Sequence, residues 1–217
     1  TRQAFRLQIE PGALMIDPSW VFGYDPYNTG QSENEEPTSP VVVNGRVFYT
    51  TNTIFSATEP MRIFWQDVEA TYTTASTPLA GPELFAESEG GGWSFFHLSI
   101  DEVTGIIIGN DQGNGKLTAV RAIGDNEIER LWQIDLKTSA RPVIVSDREM
   151  VYANDFVDGC DHLVVLDLTT GEEMLRVPTP ATRATIATII VSSANEVYFG
   201  SNEPGQLIGL FHRIYVP

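Results

Sequence analysis

Two short stretches carry the residues best suited to chemistry. Asn154-Asp155-Phe156-Val157-Asp158-Gly159-Cys160-Asp161 places three carboxylates at three-residue intervals. A calcium ion takes about six to eight oxygens from flexible loops of this kind. Asp155, Asp158 and Asp161 therefore form the candidate calcium site, and Asn110-Asp111-Gln112-Gly113-Asn114-Gly115 is a smaller version of it. Neither has EF-hand spacing, and Asn, Asp and Gly are also what a hairpin turn needs for its own geometry. Cys160 is the only cysteine. An intrachain disulfide, a multi-cysteine zinc site and a Cys-x-x-Cys-His haem attachment are all excluded. His97, His162 and His212 show no paired metal spacing and read as packed or surface histidines. Gly-x-Ser-x-Gly, phosphate-loop and His-Glu-x-x-His patterns are missing, so no catalytic residue is assigned.

Charge narrows the partners. Thirteen Lys and Arg stand against 29 Asp and Glu, a net charge of −16. Such a surface repels nucleic-acid phosphates and anionic lipid, and it suits cations and basic proteins. The longest apolar runs, Ile106 to Ile108 and Thr188 to Val191, are strand-sized and far short of a membrane span. The chain starts at Thr1 with neither Met nor a signal-like apolar stretch, so any targeting segment is expected to have been removed or to lie outside these 217 residues.

What must position these residues is an internal repeat. One phrase occurs four times: an apolar strand, a polar turn, a second strand ending in a small residue and Asn, then a third strand. The copies align on Asn52, Asn110, Asn154 and Asn202, separated by 58, 44 and 48 residues. First strands are Pro40 to Val43, His97 to Ile100, Pro142 to Val145 and Thr188 to Val191. Second strands begin at Val47, Ile106, Val151 and Val197, and third strands at Arg62, Lys116, His162 and Gln206. Fourth strands are visible at Glu129 to Ile134 and Glu173 to Val177. Asn44-Gly45 between the first two strands is a tight-hairpin signal, because both central residues accept positive φ. The repeated Asn reads as a structural cap or turn residue.

This is the pattern of an all-β protein, a β-propeller of four-stranded antiparallel blades, with about four blades at residues 40–93, 94–139, 140–183 and 184–217. It is either a small four-bladed ring or about half of a seven- or eight-bladed one, with a second chain or further blades completing it. Residues 1–39 lie outside the repeat. Within them Ala4 to Ile9 is a candidate outer strand that closes the ring on the last blade, and Gln31 to Pro37 reads as an acidic loop. Ala75 to Gly92 reads as a long connection between blades.

The third copy carries Val165-Leu166-Asp167-Leu168-Thr169-Thr170-Gly171-Glu172-Glu173-Met174-Leu175. This resembles the tryptophan-docking repeat of PQQ-like (quinoprotein alcohol dehydrogenase-like) propellers, Ala-x-Asp-x-x-Thr-Gly-Lys-x-x-Trp. Asp167, Thr170 and Gly171 match it, whereas Val165, Glu172 and Leu175 replace Ala, Lys and Trp. In the second copy Ala119 and Trp132 stand at the pattern's Ala and Trp, three residues too far apart and with Arg121 in place of Asp. The first and fourth copies match only in their inner strands.

The resemblance implies an extracytoplasmic protein and raises PQQ as a cofactor. Quinoprotein dehydrogenases hold PQQ between a Trp and a vicinal disulfide, beside an Asp base and a calcium site. One cysteine makes the vicinal disulfide impossible. Trp20, Trp65, Trp93 and Trp132 offer aromatic surface, with Trp132 read as a packing residue, and no other part of the cofactor site is matched. The expected function is therefore a non-catalytic PQQ-like propeller that presents loops and rims to a protein partner. The alternatives are a fragment of a PQQ-dependent oxidoreductase and a secreted calcium- or sugar-binding propeller.

Overall fold

The computed structural model describes residues 2–24, 40–50, 61–68, 79–83, 92–124, 127–184, 189–192, 196–200 and 207–211. Among them there is no α-helix, only one 3-10 turn at Ser146–Arg148, and no helix long and apolar enough to cross a membrane. The chain enters through a two-stranded hairpin, β1 (Arg2–Glu10) and β2 (Ala13–Tyr24). Four antiparallel sheets follow, each built strand beside strand in chain order.

Blade 1 contains β3 (Val41–Val43), β4 (Arg46–Thr50), β5 (Arg62–Asp67) and β6 (Leu79–Glu83). Blade 2 contains β7 (Ser99–Ile100), β8 (Ile106–Asp111), β9 (Lys116–Ile123) and β10 (Glu127–Asp135). Blade 3 contains β11 (Val143–Val145), β12 (Met150–Val157), β13 (Cys160–Asp167) and β14 (Glu173–Pro178). Blade 4 contains β15 (Ile189–Val191), β16 (Glu196–Gly200) and β17 (Leu207–Phe211). The short first strands β3, β7, β11 and β15 lie next to one another in succession and form the inner wall. This is the radial order of a propeller, and among the described residues the sheets are not closed into a ring.

Alternation along each strand buries both faces of a blade, one against the preceding blade and one against the next. Val43, Phe48, Ile63 and Trp65 of blade 1 pack on Leu98, Ile107, Val120 and Ile128 of blade 2. Ile106, Ile108, Leu117 and Ala119 leave the other face of blade 2 to meet Val151, Ala153, Val164 and Leu166. Met150, Tyr152, Leu163 and Val165 then cover Ile189 and Val197 of blade 4. The runs Ile106-Ile107-Ile108 and Leu163 to Leu166 are continuous rather than alternating because water reaches neither side of them. Each Val, Leu or Ile so buried contributes about 1.5–3 kcal/mol.

Two readings of the sequence are corrected. Among the described residues Ala4 to Ile9 joins no blade sheet but pairs within β1–β2, with Ala4 opposite Phe22 and Ile9 opposite Leu14. The intervening Pro11-Gly12, with Gly12 at φ 84°, turns the chain straight back on itself. Leu79–Glu83, taken as part of a long connection, is the outer strand of blade 1. It was hidden by Gly81 and Pro82, which are poor strand residues but tolerable at an outer edge, where one row of N–H groups has no ladder to join.

Candidate functional site

Antiparallel order sends the hairpins between second and third strands, and the connectors between blades, to one end of the blades. The candidate residues gather there. Blades 2 and 3 build this end with the same clasp. In blade 3 the Asn154 Oδ1 accepts from the Thr138 hydroxyl at 2.9 Å and from the N–H groups of Ser139 and Ala140 at 3.0 and 2.9 Å. Its Nδ2 donates to Ser139 Oγ at 2.9 Å and to Asp161 Oδ1 at 3.0 Å. In blade 2 the Ser94 hydroxyl donates to Asn110 Oδ1 at 2.8 Å. The following aspartates repeat too: Asp111 accepts from the Trp93 N–H at 3.2 Å, and Asp155 from the Lys137 N–H at 2.9 Å. Asn110 and Asn154 thus tie the connector that enters each blade to that blade's second strand, the structural role read for them; Asn52 and Asn202 lie outside the described residues.

The three aspartates of the candidate calcium site are placed by the long strands β12 and β13, which leave only Asp158-Gly159 for the turn. Positive φ at both, 54° and 75°, makes it a two-residue hairpin of the same kind as Asn44-Gly45. Register places Asp155 opposite His162 and Phe156 opposite Asp161. Asp155 and Asp161 therefore stand on opposite faces of the sheet. Asp155 Oδ2 meets Arg176 Nη1 at 2.6 Å, Asp161 faces Asn154, and Asp158 is exposed at the tip. Among the described residues no three His, Cys, Asp or Glu side chains come together as a metal-holding group. In the smaller loop Asp111 folds its own turn, accepting from the Asn114 N–H and side-chain amide at 3.0 and 2.8 Å.

Cys160 is half-buried, its Sγ 3.3 Å from the Thr179 carbonyl oxygen. His162 holds its Nδ1 3.2 Å from the Cys160 carbonyl. His97 sits at the inner end of the connector into blade 2, and Arg141 at the matching position of blade 3, each three residues beyond the clasp hydroxyls of Ser94 and Thr138. Burial, reinforced by the Arg141 charge, lowers the pKa of His97 below its usual value. Arg141 reaches back to blade 2, donating to the Leu98 carbonyl at 3.0 Å. Sequence reasoning passed over Ser94, Thr138 and Arg141. The available signal was a Ser or Thr 16 residues before Asn in two copies.

Away from this end, Trp132 donates its Nε1–H to the Leu168 carbonyl at 2.9 Å and packs on Gly171, so the outer strand of blade 2 docks on the Asp167 turn of blade 3. Asp167 Oδ1 accepts from the N–H groups of Thr169 and Thr170 at 2.9 and 2.7 Å. Asp101 orders its own Asp-x-x-Thr-Gly turn in the same manner, accepting from the Thr104 N–H at 3.1 Å and from the Thr104 hydroxyl.

Radial four-stranded sheets joined in this way define a β-propeller, and solved structures of that architecture superpose on it. The periplasmic gluconolactonase PpgL of Pseudomonas aeruginosa aligns over 95% of this chain and 58% of its own, with a TM-score of 0.61 and 12% identity. A Bacteroides fragilis protein, assigned provisionally as a 6-phosphogluconolactonase, aligns over 95% and 60%, with a TM-score of 0.56 and 12% identity. AztD of Citrobacter koseri aligns over 81% and 43%, with a TM-score of 0.50 and 14% identity. This chain thus spans three fifths or less of the length of these three structures. At such identity the likeness establishes the fold alone. No protein-family model and no curated protein matches the sequence.

Proposed function

We propose that the chain is a PQQ-like propeller arc that acts as a non-catalytic, protein-binding scaffold in an extracytoplasmic compartment. The observation that carries this reading is the docking of Trp132 on Gly171, which joins the two partial copies of the quinoprotein repeat in one interface between blades. The polar residues at the loop-bearing end support it. Asn110, Asp111, Asn154, Asp155 and Asp161 spend their side chains on clasps within the blades. What that end offers a partner is then its shape and its exposed acidic tips, such as Asp158. The periplasmic location of PpgL agrees with the compartment.

The described residues that bear on PQQ in blades 1 and 2 do not fit it. Trp65 and Trp132 are buried between blades, away from the inner wall, and the single cysteine cannot supply a vicinal disulfide. Native mass spectrometry with added PQQ tests this directly. An unchanged mass supports the scaffold, and a stoichiometric adduct overturns it.

A second reading is favoured by His97 and Arg141. An imidazole whose Nδ1 has no hydrogen-bond partner, beside a guanidinium at the inner end of the connectors, is suited to the carboxylate or ring oxygens of a sugar acid or lactone. Hydrolysis of gluconolactone that is lost in His97→Ala and Arg141→Ala would establish this reading in place of the first.

A further inference from the structure

The two-stranded sheet β1–β2 has the construction of the outer half of a blade. Among the described residues three blades pair a third strand with a fourth, and each of those ladders breaks register, between Arg62 and Phe64, Arg130 and Trp132, and Val165 and Leu166. None of the eight ladders between first and second or second and third strands does so. The β1–β2 ladder breaks between Phe5 and Leu7. The residues it skips on β2 include Pro18, just as the ladder of blade 1 skips Gly81 and Pro82 on β6. Proline has no N–H for a ladder and settles at an outer edge, so β2 matches a fourth strand and β1 the third strand inside it. The connection from Tyr24 to Val41 is close in length to the one from Glu83 to Ser99, which leads from the fourth strand of blade 1 to the first of blade 2.

We propose that β1 and β2 are the third and fourth strands of a further blade. The inward edge of β1 then docks that blade's second strand, which the same polypeptide supplies from outside these 217 residues. Glu10 and Ala13 flank the two-residue turn and therefore form a hydrogen-bonded pair. Antiparallel alternation turns the main-chain N–H and C=O groups of Ile9 and Leu7 the other way, to the open edge of β1. Such an edge is a template for an added strand. On one face of the hairpin Ile9, Leu7 and Leu14 are 87%, 52% and 64% exposed. A two-stranded ribbon this open is marginal in water by itself, and a completed blade beside its neighbour covers that face. The existing second strands define the occupant: an aromatic and β-branched run such as Val47-Phe48-Tyr49 or Val151-Tyr152-Ala153, closed in blades 2 and 3 by the clasp of Asn110 or Asn154. Two observations place that strand in the same chain. Every blade sheet takes its strands from the chain in order. PpgL superposes on 95% of this chain while only 58% of its own is matched, so there one polypeptide continues well past the matched blades. The proposal needs only the fold and is independent of whether the inner wall binds a ligand.

Intact mass and amide hydrogen exchange, measured on the protein isolated from its natural source and on the 217-residue chain, test it. The natural polypeptide is expected to be the longer of the two, with the Leu7 and Ile9 amides exchanging about a hundredfold more slowly in it than in the 217-residue chain, where they meet solvent. Ile9→Pro removes an N–H from the docking edge. It is expected to leave the thermal midpoint of the 217-residue chain unchanged and to lower that of the natural protein by about 2–4 °C. A natural polypeptide of these 217 residues alone overturns the proposal. So do Leu7 and Ile9 amides that stay fast in a longer one, or an Ile9→Pro variant whose midpoint is unchanged there. Protection that appears only when a second polypeptide is bound assigns the strand to that partner and overturns its origin in the same chain.

Discussion

Trp132 and Gly171 touch so closely across the interface of blades 2 and 3 that a methyl group on Gly171 would lie 2.6 Å from the indole Cδ2. Gly171 also sits at φ 72°, a conformation that costs an L side chain about 1–2 kcal/mol. Overpacking a tight contact adds about 1–3 kcal/mol. Gly171→Ala is therefore expected to lower the unfolding free energy by roughly 3 kcal/mol in urea titration. Trp132→Phe keeps most of the packing but strands the Leu168 carbonyl, a loss of about 1–2 kcal/mol. Equal, negligible effects for both would show that the docking contact does not hold the blades together.

The two asparagine clasps differ in how completely they are satisfied. Asn154 accepts three hydrogen bonds and donates two, while Asn110 accepts from Ser94 and its buried Nδ2 has no partner. The reason lies two residues before the facing leucine of the third strand: blade 3 has Asp161 there and blade 2 has Gly115. Asn154→Ala removes the acceptor of the Ser139 and Ala140 N–H groups and the amide that donates to Asp161, and is expected to cost about 3 kcal/mol. Asn110→Ala loses one neutral hydrogen bond and relieves an unpaired donor, so its cost is about 1 kcal/mol or less. The ranking, measured by denaturant midpoint at constant slope, is the test.

Much of this was legible in the sequence, because a blade writes its period directly. The Asn spacing, the Val and Ile runs and the Asn44-Gly45 turn locate the inner strands, since continuous apolar runs arise only where both faces are buried. Outer strands were harder to see. Leu79–Glu83 carries Gly and Pro, which only an edge tolerates, and so it looked like a loop. Among the described residues the three candidate calcium ligands are not brought together as one group, for a related reason. Three-residue spacing suggests convergence in a loop, but the two-residue turn at Asp158-Gly159 pairs Asp155 with His162 and Phe156 with Asp161, and this register puts Asp155 and Asp161 on opposite faces. The partners that took these carboxylates, Arg176 and Asn154, are set by blade geometry that no local pattern encodes.

Asp101 gives the protein a predictable weakness in acid. Burial pushes its carboxyl up, but hydrogen bonds from the Ser146 and Thr104 side chains and from the Thr104 and Val103 N–H groups outweigh that and leave its pKa below the ordinary 3.8. A depressed folded-state pKa contributes stability that is complete above 3.8 and is lost as pH falls through the folded value. Asp101→Asn should therefore be less stable than wild type at neutral pH and indistinguishable from it well below pH 3.8. Thermal midpoints of the two proteins across this range should converge toward acid, and parallel curves would remove Asp101 from the account.

Calcium addresses the loop-bearing end most directly. For Asp155 and Asp161 to ligate one ion, the Asp155–Arg176 pair must open and Asp161 must leave Asn154, and the two carboxylates must reach around the sheet from opposite faces. Arg176 holds firmly. Hydrogen bonding to Glu173, against the opposing effect of burial and with the help of Asp155, raises its pKa above the usual arginine value. Millimolar calcium is thus expected to leave the thermal midpoint of the wild-type protein unchanged, because a ligand stabilises only in proportion to its binding of the folded state. Arg176→Gln sharpens the test by removing the guanidinium from Asp155 Oδ2 without moving the strand that carries it. If calcium stabilises that variant and not the wild type, the ion pair is what denies the site its metal. If calcium stabilises both, the hairpin reorganises around the ion, and the acidic end of the blade is a cation site after all.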